Sequence, residues 1–176
     1  MENILKEKLW EYIIHNNPEL MYKLQEQYSV TEYLDQKVKS VLALADEMAS
    51  EYTPREIIEE ICLNVLTAEL KPSRFTYLRS LLFEEFEDTY VDFTRSGTLT
   101  YEVLNLMGAC SELFETNGFT AGSLTDPNFK NMLIPKITGY LNRLQKSDSL
   151  SKSGYSSNNF KSKNDVKQRI PNQQRD

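Results

Sequence analysis

TEYLDQKVKSVLALADEMASEYTPREIIEEICLNVL, residues 31–66, is the stretch whose reading decides the fold. Leu34, Val38, Val41, Leu42, Ala45 and Met48 recur at the i, i+3, i+4, i+7 spacing of one helix face, so a long helix is predicted from Thr31. Thr53-Pro54-Arg55-Glu56 then reads as a boundary. Thr53 would cap the free N–H groups, Pro54 would pre-set the first turn, and Glu56 would complete a capping box. Such a cap contributes about 1 kcal/mol. The helix that follows is expected to bury Ile57, Ile58, Ile61, Cys62, Val65 and Leu66, and to stop before Lys71-Pro72.

The same periodicity extends outward in both directions. Towards the N-terminus, Ile4, Leu5, Leu9, Ile13 and Ile14 form one stripe from Asn3 to His15. Asn16-Asn17-Pro18 interrupts it, because the residue before a proline is pushed out of the α region. Pro18 suits the start of a short helix from Glu19 to about Gln27. Towards the C-terminus, Ser73 caps a helix lined by Phe75, Leu78, Leu81, Leu82 and Phe86. The stretch from Glu87 to Leu99 reads as an ordered loop, with a turn at Ser96-Gly97 and strand-like propensity in Tyr90, Val91 and Phe93. Thr100 opens a helix through Leu104, Met107, Cys110, Leu113 and Phe114, ended by Asn117-Gly118. Asp126-Pro127 opens the last helix, with Leu133, Ile137, Tyr140, Leu141 and Leu144 on its inner face. Helices this short are marginal in isolation, so their stripes must pack on one another. The expectation is an all-α, single-core bundle of six to seven amphipathic helices.

Composition breaks near Lys146. Residues 1–145 carry 13 Lys and Arg against 23 Asp and Glu, whereas residues 146–176 carry 7 against 3. The first part is dense in apolar residues and long enough to bury roughly two-thirds of its unfolded surface in one core. The second is Ser, Asn, Gln and Lys, with little to bury. An acidic helical domain at 1–145 and a basic, disordered tail at 146–176 are therefore expected. The N-terminal residues mix charges with apolar side chains, unlike a secretory signal, and no stretch approaches the roughly 18 apolar residues of a membrane span. The chain reads as cytoplasmic.

Residues that could carry chemistry are sparse. The single histidine, His15, falls at a helix end, where it interacts well with the helix dipole. Cys62 and Cys110 sit within apolar patterns and read as small hydrophobes. The spacing Ser149-Leu150-Ser151-Lys152 lies in the tail, without the helix and partners that give such a motif meaning. Glu84, Glu85, Glu87, Asp88 and Asp92 form the densest charge cluster. It reads as a solvated acidic face, or as a patch for a basic partner, a hard cation or the chain's own tail; its spacing is not that of an EF-hand. Tyr12, Tyr22, Tyr28, Tyr33 and Tyr52 lack interleaved basic residues, so they read as core or half-buried rings rather than a stacking surface for bases. Lys161, Lys163, Lys167 and Arg169 in the tail could hold nucleic acid weakly. No catalytic, metal or cofactor residues are assigned.

Leu9-Trp10-Glu11-Tyr12-Ile13-Ile14-His15-Asn16-Asn17-Pro18-Glu19-Leu20 resembles the opening helix and turn of a small all-helical family encoded by Bacteroidetes, frequently in conjugative transposons and other mobile elements, and catalogued as a domain of unknown function. The resemblance continues through Tyr52-Thr53-Pro54-Arg55-Glu56, Val65-Leu66, Phe75-Thr76-Tyr77-Leu78, Glu84-Glu85-Phe86 and Tyr140-Leu141. It covers most of residues 5–145 and none of the tail. It implies an all-helical bacterial fold in a mobile-element setting and brings no activity, cofactor or site residue with it. The function expected from the residues is a non-enzymatic interaction module that binds an unidentified protein or a second copy of itself. The alternative is weak association with nucleic acid through the tail; no membrane partner is expected.

Overall fold

In a computed structural model, the backbone is described over residues 1–154 and the side chains over residues 1–146. Eight α-helices follow one another: α1 Glu2–Asn16, α2 Pro18–Glu26, α3 Val30–Ser50, α4 Arg55–Thr67, α5 Arg74–Glu85, α6 Glu87–Ser96, α7 Leu99–Asn117 and α8 Pro127–Gly154. Short 3-10 turns occupy Ala68–Leu70 and Ala121–Leu124. No strand occurs among the described residues. The fold is the expected all-α bundle, with one helix more than the sequence announces.

The chain divides into two units, Met1–Ile137 and Thr138–Asp176, and the division falls inside α8. In the first unit, α1, α3 and α4 meet around Leu5, Leu9, Ile13, Val38, Val41, Ala45, Ile58, Cys62 and Leu66. All of these are buried, and covering each large aliphatic side chain contributes on the order of 1.5–3 kcal/mol. A second buried set draws on α5, α7 and the first turns of α8, including Leu78, Leu82, Leu106, Phe114, Leu133 and Ile137. Tyr77, Phe114, Phe119 and Phe129 form an aromatic cluster, with ring centroids 5.0–6.0 Å apart. The second unit begins with the remainder of α8, in which Leu141 is buried. Pro135 lies in the interior of α8, shortly before the division. The expected tail residues Lys161, Lys163, Lys167 and Arg169 lie outside the described residues.

The structure departs from the sequence expectation in three places. Residues 87–96 form a helix, not a loop. Glu87 and Asp88 stand in its first turn and Arg95 in its last, each favourable to the helix dipole, and Gly97 closes it in the left-handed conformation with φ 72°. This end chemistry outweighs the strand propensity of Tyr90, Val91 and Phe93. Thr53 does not cap α4: Pro54 takes the capping position, and no side chain bonds to the first turn. Ser73 does cap α5, accepting from the Thr76 amide at 3.0 Å, and Asp126 accepts from the Asn128 amide at 2.9 Å. The inner face of α4 is narrower than its apolar content suggests. Ile58, Cys62 and Leu66 are buried, but Ile57, Ile61 and Val65 are exposed.

Candidate functional site

The acidic cluster of the sequence is divided by the fold. Glu84 and Glu85 end α5, and Lys130 of α8 reaches both, its Nζ 2.6 Å from Glu85 Oε1 and 3.3 Å from Glu84 Oε2. Hydrogen bonding to Glu85, and then to Glu84, raises the Lys130 pKa against the opposing effect of burial. Glu87 and Asp88 belong to the next helix, where the dipole stabilises them. Asp92 lies 3.5 Å from Arg95, an exposed pair on the same helix. The Phe83 and Tyr90 rings meet edge to face, with centroids 5.3 Å apart, and link α5 to α6. Elsewhere, His15 Nδ1 stands 2.8 Å from the Glu11 carbonyl oxygen at the end of α1. Both cysteines are buried and free. Burial pushes the Cys110 thiol up to about 11 and the Cys62 thiol upward as well, so neither is poised as a nucleophile. Tyr12 and Tyr33 are half-buried as expected, but Tyr22, Tyr28 and Tyr52 are exposed.

Two features stand apart from this background. The first is the outer flank of α4. Ile57, Ile61 and Val65 recur every four residues and are 45%, 38% and 51% exposed. The stripe runs for about 12 Å at the rise of an α-helix. Single exposed apolar residues are ordinary; three in register on one helix face form a surface. Glu56 and Glu60, one position before Ile57 and Ile61, are exposed and make no ion pair among the described residues. Glu59, by contrast, turns inward and is held by Lys8 and Arg55. The flank is therefore apolar with an uncompensated acidic edge.

The second feature is a cleft of about 710 Å³ between the C-terminal turns of α1, the Lys71–Ser73 connection, α5 and the segment leading into α8. Its local order begins with Ser73, whose hydroxyl donates to the Asn16 carbonyl oxygen while accepting from the Thr76 amide. Thr76 Oγ1 lies 3.4 Å from Asn16 Oδ1. These bonds tie the start of α5 to the end of α1. Pro72, Tyr77, Leu81, Leu124 and Pro127 supply apolar wall, and Tyr12, Lys71, Ser80, Glu84, Asp126 and Lys130 supply polar rim. Lys71 Nζ sits 5.5 Å from the centroid of the Tyr12 ring, a cation–π contact.

Neither feature was legible from the sequence. Periodicity counts Ile57, Ile61 and Val65 as core, and the cleft assembles residues separated by more than a hundred positions. Only the Lys71-Pro72-Ser73 and Asp126-Pro127 breaks mark its walls. Among the described residues, no group of three or more His, Cys, Asp or Glu side chains could hold a metal ion, and no helix is long and apolar enough to cross a membrane. Comparison of the chain with protein-family models, curated proteins and solved structures gives no match.

Proposed function

We propose that the chain is a non-enzymatic interaction module whose α4 flank takes an amphipathic, basic-edged helix of a partner protein. The observation that carries this reading is the stripe Ile57–Ile61–Val65 beside the unpaired Glu56 and Glu60. An apolar stripe is the receiving half of a helix-in-groove contact, read by a partner at i, i+3, i+4, i+7. The acidic edge selects lysine or arginine beside the partner's own stripe. The excess of Asp and Glu over residues 1–145 draws such a partner in. The resemblance of residues 5–145 supports a mobile-element setting for the module.

The test is fluorescence anisotropy with a labelled amphipathic helical peptide of leucine and lysine, and a second of leucine and glutamate in the same pattern. The lysine peptide should bind saturably and the glutamate peptide should not. Ile61→Asp and the double change Glu56→Lys, Glu60→Lys should each weaken binding by about tenfold or more. Binding unchanged by Ile61→Asp would remove the α4 flank from consideration. Loss on charge reversal of Glu84, Glu85, Glu87 and Asp88 instead would move the site to the α5–α6 face. The alternative reading, through Lys161, Lys163, Lys167 and Arg169, requires nuclease-sensitive, salt-dependent retention on DNA or RNA that disappears when the chain is cut after Gln145.

A further inference from the structure

We propose that the cleft beside Lys71 is a binding site for a small apolar carboxylate, an arylalkyl or short-chain aliphatic acid. Its carboxylate would sit against the Lys71 ammonium and its body over Tyr77, Leu81 and Leu124. The site is separate from the α4 flank and does not depend on it.

The fold leaves few of the cleft's polar groups free. Lys130 is already engaged by Glu84 and Glu85. Asp126 is engaged by the Asn128 amide at the start of α8. Lys71 has no carboxylate partner among the described residues; its contact is the face of Tyr12, which braces the ammonium without neutralising it. The cleft therefore offers one uncompensated cation at one end.

Tyr77 adds a hydrogen-bond donor to the same cleft. It is only 8% exposed, and its ring packs against both Phe119 and Phe129. Its hydroxyl has no hydrogen-bond partner among the described residues, yet it feels the charges of Lys130, Glu84 and Asp126, all on the cleft wall. The ring is largely covered while Tyr77 lines the cleft, so its hydroxyl is available as a donor to whatever fills that space. Burial raises its pKa, so it stays a neutral donor.

Charge and size define the ligand class. A phosphate dianion would meet Glu84 and Asp126 on the same rim and would need more than one free cation. An amine would find both of those acids already engaged. A monoanion with an apolar body satisfies the ammonium, the phenol and the wall together. The volume falls within the range of sites that enclose small organic ligands.

The experiment is isothermal titration of the full chain with 4-phenylbutyrate and with decanoate, alongside 4-phenylbutan-1-ol and phenyl phosphate. Saturable one-to-one binding of at least one carboxylate is expected, about tenfold tighter than the alcohol, as a charge-assisted contact implies. Lys71→Gln should abolish the difference between 4-phenylbutyrate and the alcohol. Ser80→Trp should block both by filling the cleft from an exposed position; an unchanged thermal midpoint would show that the variant is folded. Tyr77→Phe, which keeps the ring, should weaken the carboxylate severalfold. Ile61→Asp should change nothing here. Failure of both carboxylates to saturate overturns the proposal. So does a carboxylate preference that survives Lys71→Gln, and tighter binding of phenyl phosphate would replace the ligand class.

Discussion

Lys8 Nζ lies 2.7 Å from Glu59 Oε2, joining α1 to α4 across 51 positions of sequence. The other carboxylate oxygen of Glu59 accepts from Arg55 Nε at 2.8 Å. Glu59 is nearly covered by its surroundings, so the two cations are its compensation for leaving water. Hydrogen bonds from Lys8, and then from Arg55, hold its carboxyl below the ordinary value of 4.5, against the opposing pull of burial.

A pH dependence follows. The folded protein binds the Glu59 proton less readily than the unfolded chain, so this group stabilises the fold above its unfolded pKa. That contribution should fade as pH falls below about 4.5 and through the lower folded value. Asp35, held down by Lys6, acts with the same sign. Urea midpoints measured from pH 7 to pH 3 should decline more steeply for the native chain than for Glu59→Gln. Parallel curves would mean that the bridge contributes nothing.

The adjacent isoleucines of α4 offer a direct test of which face is inside. Ile58 is 2% exposed and Ile57 is 45% exposed. Ile58→Ala should cost about 2–5 kcal/mol, the transfer term plus a cavity. Ile57→Ala should cost less than about 1 kcal/mol, since the side chain is already largely in water. Chemical denaturation of the two variants settles the register of the helix, because a rotation of one position would exchange the two results.

Capping gives a second matched pair. Ser73→Ala removes a side-chain bond to the Thr76 amide and a bond to the Asn16 carbonyl, and should destabilise by about 1 kcal/mol. Thr53→Ala removes no cap, since α4 begins from Pro54 without a side-chain bond, and should fall within about 0.5 kcal/mol of the parent. Thermal midpoints by circular dichroism are sufficient to separate them.

Thiol chemistry should report burial. With Cys110 near 11 and Cys62 also raised, the thiolate fraction at neutral pH is very small and both sulfurs are covered. Reaction with a disulfide reagent at pH 7.5 should be slow in the folded protein and quantitative for two thiols in urea. Rapid labelling of one thiol without denaturant would place that residue in a more open environment.

The sequence announced the helices best where the apolar period is long. Val38, Val41 and Ala45 of α3 are buried as their spacing predicts. It failed where a helix carries more apolar residues than its inner face can use. Ile57 and Ile58 are chemically identical, and only packing against α1 and α3 decides which is covered. The helix of residues 87–96 is short and rich in Tyr, Val and Phe, so propensity pointed away from it. Its Glu87-Asp88 start and Gly97 end are legible, but in the sequence they look like an acidic cluster and a turn. The cleft was illegible in a stronger sense. Tyr12, Lys71, Tyr77 and Lys130 come together through the packing of separate helices, and no spacing along the chain records that.

Pro135 in α8 has a consequence for how order is lost. It has no amide hydrogen, so the intrahelical bond that would reach the Asn131 carbonyl is missing. Helix cooperativity depends on an unbroken ladder of such bonds. Fraying that enters α8 from its C-terminal side therefore meets an interruption close to the Ile137–Thr138 division, before it reaches the buried Leu133 and Phe129. Backbone amides on the two sides of Pro135 should exchange with deuterium as two separate populations. The proline acts as a firebreak, set where the helix passes from one unit of the chain to the other.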